Sequence, residues 1–483
     1  MTRPYPIGAD IGTLADVLEL RARENGEGLA FGAGDERLSY RSLRDDAERL
    51  GAGLLHRGVR QGDRVAILLP AGLDIVRIFF ALQRIGAVPC IFNPAAPAEM
   101  SAQRIARIRP RLVIGEVEVF AGSTLLPPIA HDDQSIAFLQ PTSGTSGEPQ
   151  AAVILQRNVM ASLRAARELI DPGANDVLVG WVPPWHDLGL LRFLIGPVYF
   201  GLPCHLIPPA IRTIPQWFAT ISSLRGTITG APDFAYRLAA KLVDPKSVDL
   251  SSLRFATNGG EPVRGSTITA FETLFGLRHV VCPGYGLAEA TLGVTCVRPG
   301  EALRFDGRGN VSTGLPFEGV EVRVDDAGEI LVRSAAVFAG YFDAEDASAE
   351  TLRDGWLHTG DFGSLDSDGH LYVLGRKRAM LKRGGATLAP RELEEAAQSV
   401  EGVRIAAAVG IISTSDSVTE DVVVVVEAEP SDTVIASRVS EAVERAIGFA
   451  PDRVIVQPPR TIPRTMNGKI RHAELRTQLM ARR

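Results

Sequence analysis

Four short segments combine residue types that could handle a nucleotide and an anionic substrate. The first is Phe138-Leu-Gln-Pro-Thr-Ser-Gly-Thr-Ser-Gly-Glu-Pro-Gln150, an apolar run that ends in a loop of small and hydroxylated residues. Thr142, Ser143, Gly144, Thr145, Ser146 and Gly147 let backbone N–H groups curl around an anion, and their hydroxyls add donors, which suits a phosphate chain. No Gly-Lys-Ser/Thr follows the glycines, so the loop is not a Walker P-loop. Taken alone, it also fits an ordinary surface turn.

The second segment is Tyr285-Gly286-Leu-Ala-Glu289. An aromatic ring followed by glycine can face a flat base, and a carboxylate four residues on can hold Mg²⁺, which binds through one or two carboxylates plus phosphate oxygens. The third, Trp356-Leu-His-Thr-Gly-Asp361, ends in a carboxylate able to accept two hydrogen bonds from a ribose. The fourth, Ile462-Pro-Arg-Thr-Met-Asn-Gly-Lys-Ile470, carries Lys469 after a glycine near the C-terminus, where it could swing into a site as a point charge. Each has a plain alternative: a strand-to-helix turn with a core tyrosine, an Asx-type turn, a solvated lysine.

The elements that must position these residues follow an α/β rhythm. Asp63 to Leu69 reads as a buried strand, Leu73 to Gly86 as a helix and Val88 to Phe92 as the next strand, with a short strand at Leu38 to Tyr40. The rhythm returns between Asp176 and Ala290, so two α/β units with parallel sheets covered by helices are expected. From Asn310 to Asp368 short alternating strands separated by Asp/Gly turns predict a small antiparallel β unit. Beyond Gly375-Arg-Lys-Arg378, helix patterns at Pro390 to Ser399 and Ile435 to Ile447 alternate with strands at Ile405 to Gly410 and Val422 to Glu427. The expected division is a large N-terminal domain, 1–377, and a small α+β C-terminal domain, 378–483.

Composition narrows the function classes. The chain has 483 residues, 45% hydrophobic and 22% charged, in the range of globular proteins, and its net charge of −6 offers no global attraction for nucleic acid. No apolar run approaches the roughly 18 residues that span a bilayer, and Met1 to Asp10 lacks the apolar stretch of a secretory leader. Cys90, Cys204, Cys282 and Cys296 match no metal or redox spacing and read as buried thiols in a reducing cytoplasm.

In their order along the chain, these segments resemble the adenylate-forming enzymes: acyl-CoA synthetases, luciferases and peptide-synthetase adenylation domains. The resemblance runs from Leu38-Ser-Tyr-Arg-Ser-Leu43 to Arg464-Thr-Met-Asn-Gly-Lys469 and includes Gly62-Asp-Arg-Val-Ala66, Trp185-His-Asp-Leu-Gly189 and Asn258-Gly-Gly-Glu-Pro262. It implies ATP and Mg²⁺. Thr142 to Gly147 would wrap the ATP phosphates; Gly260, Glu261 and Pro262 would line the adenine, with Tyr285 stacked on it. Glu289 would bind Mg²⁺, Asp361 with Arg376 would hold the ribose, and Lys469 would bridge the substrate carboxylate and the α-phosphate. Arg378 falls at the hinge position, where the small domain would rotate between half-reactions.

Within the family the chain is most similar to fatty acyl-AMP ligases, through Trp181-Val-Pro-Pro-Trp-His-Asp-Leu-Gly-Leu190 and Ala231-Pro-Asp-Phe-Ala-Tyr236. That likeness implies transfer of the acyl group to an acyl or peptidyl carrier protein; coenzyme A as acceptor is the alternative, and a non-catalytic nucleotide-binding protein a third. Three positions depart from the family pattern. Gln150 replaces the usual lysine after Pro149, Ala288 replaces the usual Thr before Glu289, and the insertion those ligases carry between the Glu and Thr-Gly-Asp motifs is missing. The acid would contact His186, Asp233 and Phe234. Asp233, where acyl-AMP ligases tend to have Asn, resembles the amine anchor of enzymes that adenylate β-amino acids, and equally suits an N-cap for the helix that follows. The basic tail from Arg460 to Arg483 offers a docking surface for an acidic carrier protein or a solvated face.

Overall fold

The computed structural model describes residues 11–117, 132–142, 149–383, 386–412, 420–429, 434–464 and 470–481. Its N-terminal part opens on helix Leu14–Asn25 and helix Tyr40–His56. The second is amphipathic for a plain reason: Tyr40, Leu43, Ala47, Leu50 and Leu54 recur at helical spacing and are all buried. Ser39 ends the preceding strand and caps this helix, accepting from the Ser42 amide at 3.1 Å. The expected strand at Leu38 to Tyr40 is thus Glu36–Ser39, and Tyr40 already belongs to the helix.

Strands Arg64–Ile67, Val88–Ile91 and Leu112–Ile114 form a parallel sheet around helix Leu73–Arg84. Next to it, Ile136–Thr142 and Gln150–Leu155 pair antiparallel, with Thr142 opposite Gln150. A nine-stranded sheet forms the rest of the large core. Its central strands Leu178–Gly180, Ile228–Ala231 and Phe255–Asn258 are parallel and buried along their whole length, as strands covered on both faces must be. The two expected α/β units interleave here. The hairpin Leu29–Ala33/Glu36–Ser39 joins the second sheet by pairing parallel to Cys204–Leu206.

The antiparallel unit is present as expected. Val320–Val324 and Glu329–Ser334 form a hairpin whose turn is closed by Asp325, which accepts from the amides of Ala327 and Glu329 at 3.0 and 2.7 Å. Strand Trp356–Leu365 follows, paired with Leu371–Arg376.

From Leu381 onward the buried residues belong to separate clusters. The valine run of strand Glu420–Glu427 shows why that stretch is so apolar. Val422, Val424 and Val426 face helices Pro390–Gln398 and Ile435–Ile447, while Val423 and Val425 face helix His472–Ala481. A strand covered on both sides has no polar face. This small domain touches the large one through an Arg391 hydrogen bond to the Val263 carbonyl, an Arg264–Glu395 ion pair at 3.4 Å, and Glu392, which meets Arg308 at 3.7 Å and accepts from Asn310 at 3.4 Å. All four cysteines are free thiols and buried.

Candidate active site

Three backbone devices build the site. The first is the turn between strands Val281–Leu287 and Leu292–Cys296, which presents Glu289. Thr291 and Leu292 both take left-handed φ values, 51° and 84°, and the buried Thr291 is held there by hydrogen bonds from Ser162 to its carbonyl and from its own hydroxyl to the Ala336 carbonyl. Gly286 is glycine because a Cβ would stand 1.5 Å from the Leu292 carbonyl oxygen. At the tip, the Tyr341 hydroxyl donates to Glu289 Oε1 at 2.7 Å. Burial, then the Glu289 charge, holds the Tyr341 hydroxyl protonated well above its ordinary pKa.

The second device is register. Asp361 sits directly opposite Arg376 across the antiparallel pair, and the Arg376 Nε meets Asp361 Oδ1 at 2.9 Å. Strand alternation turns Leu357, Thr359, Asp361 and Gly363 inward, so Asp361 is buried. Its other oxygen accepts from the Tyr285 hydroxyl at 2.7 Å. The second and third sequence segments therefore meet through side chains.

The third device is the crossover end of the parallel strands, where ligands of open α/β sheets collect. Gly260 follows Phe255–Asn258 with φ of 82°, a left-handed conformation that glycine adopts without strain.

Together these elements enclose a cleft of about 1120 Å³. Thr142, His186, Gly260, Gly286, Glu289 and Arg376 all line it. Arg471 also lines it, and the isolated bridge between Arg464 and Ile470 fixes the chain on either side of residues 465–469. Ser143, Gly144, Thr145, Ser146, Gly147 and Lys469 lie outside the described residues, as does the side chain of Arg378, whose backbone forms the turn Lys377–Ala379. Pro262 is exposed beside Gly260. Glu261 caps the neighbouring helix, accepting from the Phe234 amide at 2.6 Å.

Asp233 has a different setting from the one expected of an amine anchor or a simple cap. It is 2% exposed, and its carboxylate accepts from Asn258 Nδ2, the Arg264 amide and the Thr267 hydroxyl at 3.2, 3.1 and 3.0 Å. All three donors lie outside its own helix, Asp233–Leu242. Phe234 packs on Trp181, ring centroids 6.1 Å apart. Neither residue lines the cleft. His186 does, and is exposed there.

Several residues in or around the cleft carried no sequence signal. Tyr341 is 52 positions from Glu289, so nothing local connects them. Lys377, paired with Glu329 at 2.9 Å, lines the cleft itself, whereas Tyr341 reaches it through Glu289. Arg107 donates to Gln150 at 3.3 Å, bringing a positive charge beside the position where the lysine is missing.

A family model described as AMP-binding enzyme matches residues 18–125 and 116–342, more than half of the chain. The chain belongs to the AMP-binding enzyme family. Its activity class is that of an AMP-forming acid–thiol ligase. Among curated relatives, the medium-chain-fatty-acid–[acyl-carrier-protein] ligase TtuA of Teredinibacter turnerae is 29% identical over 75% of this chain and 66% of its own. The ligase of the same description JamA, from Moorena producens, is 25% identical over 98% of this chain and 95% of its own. Among solved structures, a fatty acyl-adenylate ligase from a study of the E. coli and L. pneumophila enzymes superposes with a TM-score of 0.85 at 25% identity, covering 99% of both chains. This AMP-binding enzyme therefore has the adenylate-forming fold, with a large N-terminal and a small C-terminal domain.

Proposed function

We propose that this AMP-binding enzyme activates a carboxylic acid with ATP, releasing pyrophosphate, and transfers the acyl group to the phosphopantetheine thiol of an acyl carrier protein. The observation that carries the first step is the convergence of Glu289, Arg376 and Thr142 on one cleft, with Asp361 clamped between Arg376 and Tyr285. In that step a carboxylate oxygen attacks the α-phosphorus, the P–O bond to the β-phosphate breaks, and pyrophosphate leaves. Two anions must meet, so fixed cations and donors stabilise the charge that builds in the transition state. Arg376, paired with Asp361, lies at the cleft wall, and Lys469 would supply the positive charge that bridges the substrate carboxylate and the α-phosphate. Asp361 would accept from the ribose, and Gly260, on the cleft wall, with Tyr285, which lines the adjoining cavity, would border the base.

Mg²⁺ fits the residues present. Among the described residues no group of three or more His, Cys, Asp or Glu could hold a metal alone. Glu289 offers one carboxylate on the cleft wall, oriented by Tyr341. A cation that takes one protein carboxylate and completes its shell with phosphate oxygens matches that donor set. Bound there, it would neutralise phosphate charge.

The second step needs a thiol at the acyl carbon where Lys469 stood. A C-terminal domain, 378–483, turning about Arg378 would remove one face and present another. Its own core and few contacts to the large domain support that motion. The carrier-protein acceptor rests on the likeness to TtuA and JamA.

ATP–pyrophosphate exchange with Lys469→Ala tests the first half: exchange should fall by about 100-fold or more, the scale of losing one transition-state charge contact. Unchanged exchange would remove Lys469 from the reaction. Competition between holo carrier protein and coenzyme A tests the second. Comparable transfer to coenzyme A would sink the carrier-protein assignment.

A further inference from the structure

Behind the nucleotide cleft lies a second, small cavity of about 50 Å³. The two share Asp187, Gly260 and Gly286 in their walls, so the small cavity adjoins the cleft in which the reacting carboxylate would sit. Its volume admits a few heavy atoms and no long alkyl chain.

The wall contains two polar side chains that the fold leaves without partners. Arg192 is 5% exposed and its Nη1 has no hydrogen-bond acceptor. Among the described residues its guanidinium makes no ion pair and no hydrogen bond; it rests on the Phe255 ring, 5.5 Å from the centroid. Thr257, 8% exposed, has an equally unpartnered hydroxyl. The thiols of Cys282 and Cys296 lie near Arg192, but burial raises both, so they stay neutral and supply no counter-charge. Among the described residues Asp187 is the one acid in the cavity wall. Burial pushes the guanidinium down to about 10, which leaves it charged at neutral pH.

A buried charge without a partner is costly, and such groups persist where a ligand completes them. Arg192 also sits in a wide-turn π-helical segment, Gly189–Ile195, a departure from the regular helix that often marks functional sites. We infer that Arg192 and Thr257 bind a second carboxylate, so that the acid activated by this enzyme is a short dicarboxylic acid whose distal end is held in this cavity. A guanidinium matches a carboxylate through two parallel N–H donors, and the Thr257 hydroxyl adds a third. The inference rests on the adenylation reading and narrows its substrate.

The test is ATP–pyrophosphate exchange by the full-length enzyme with matched pairs: butanoate against succinate, pentanoate against glutarate, and octanoate as a long monoacid. Wild type should prefer the diacid of a pair by at least about 100-fold, because a site built around a substrate polar group strongly rejects the analogue lacking it. Arg192→Met should abolish that preference, bring the monoacid level with the diacid, and keep or raise the melting temperature. Arg192→Lys should retain part of the preference. Exchange with monoacids alone overturns the dicarboxylate assignment and leaves adenylation standing. Absence of exchange with every acid overturns both. An Arg192→Met enzyme that melts lower and keeps the wild-type preference makes Arg192 a packing residue and sinks the proposal.

Discussion

Tyr341 and Glu289 show how much one side chain can decide. Glu289 stands on a strained turn, and a single phenol oxygen fixes which way its carboxylate points. A hydrogen bond to a charged group contributes about 1.5–3 kcal/mol. Tyr341→Phe should therefore lower the exchange rate by roughly 10- to 100-fold on that scale, with a higher Mg²⁺ concentration for half-maximal rate. An unchanged Mg²⁺ dependence would separate Tyr341 from the metal. Asp361→Asn should act differently. It weakens the pair with Arg376, so the KM for ATP should rise by about tenfold while the acid's KM moves little. Steady-state kinetics with each substrate varied in turn would reveal the split.

At the scale of elements, the strand Glu420–Glu427 ends on a carboxylate that anchors the approach to Lys469. Glu427 accepts from Arg464 Nη2 at 2.5 and 2.6 Å and from the Ile462 amide at 2.9 Å. Burial alone would raise its pKa, but Arg464 and the amides of Arg460 and Ile462 outweigh it and hold the group below the ordinary carboxylate value. A depressed pKa contributes stability that is complete above the unfolded value of about 4.3 and is lost as pH falls through the lower folded value. Glu427→Gln should remove this acid-side loss and lower stability at pH 7 by about 1–3 kcal/mol, the cost of leaving a partner of a buried pair unmatched. Denaturant melts of both proteins at pH 3 and pH 7 would check it: the gap between them should close at the lower pH. Elements also explain what the sequence hid. The segment Trp356 to Asp361 reads in sequence as a turn, whereas it is part of strand Trp356–Leu365, and the register that sets Asp361 against Arg376 is a property of two strands together.

The whole molecule has separate cores for its two domains, with the residues from Leu381 onward packed around the valine strand. Among the described residues the polar contacts between them are Arg391 with Val263, Arg264 with Glu395, and Arg308 and Asn310 with Glu392, so calorimetry should resolve two transitions. Val424→Ala should shift the C-terminal one alone, by about 2 kcal/mol, the usual cost of deleting buried methyl groups. A single transition, displaced as a unit, would mean that the domains unfold together.

The sequence by itself determined the α/β class, the antiparallel unit and the compact C-terminal tail, because hydrophobic periodicity and turn residues are local. Helix Ile435–Ile447 was legible residue for residue for that reason. It also supplied the candidate nucleotide segments, whose residue types carry their chemistry at short spacing. Tertiary structure decided what depends on distant partners. It placed the hairpin Leu29–Ala33/Glu36–Ser39 in the second sheet, gave Glu289 its Tyr341, and surrounded Asp233 with protein donors. It also left Arg192 uncompensated. An arginine inside Leu190-Leu-Arg-Phe-Leu-Ile195 was visible in the sequence, but whether a buried charge has a partner is a question of three-dimensional neighbours, and no local pattern answers it.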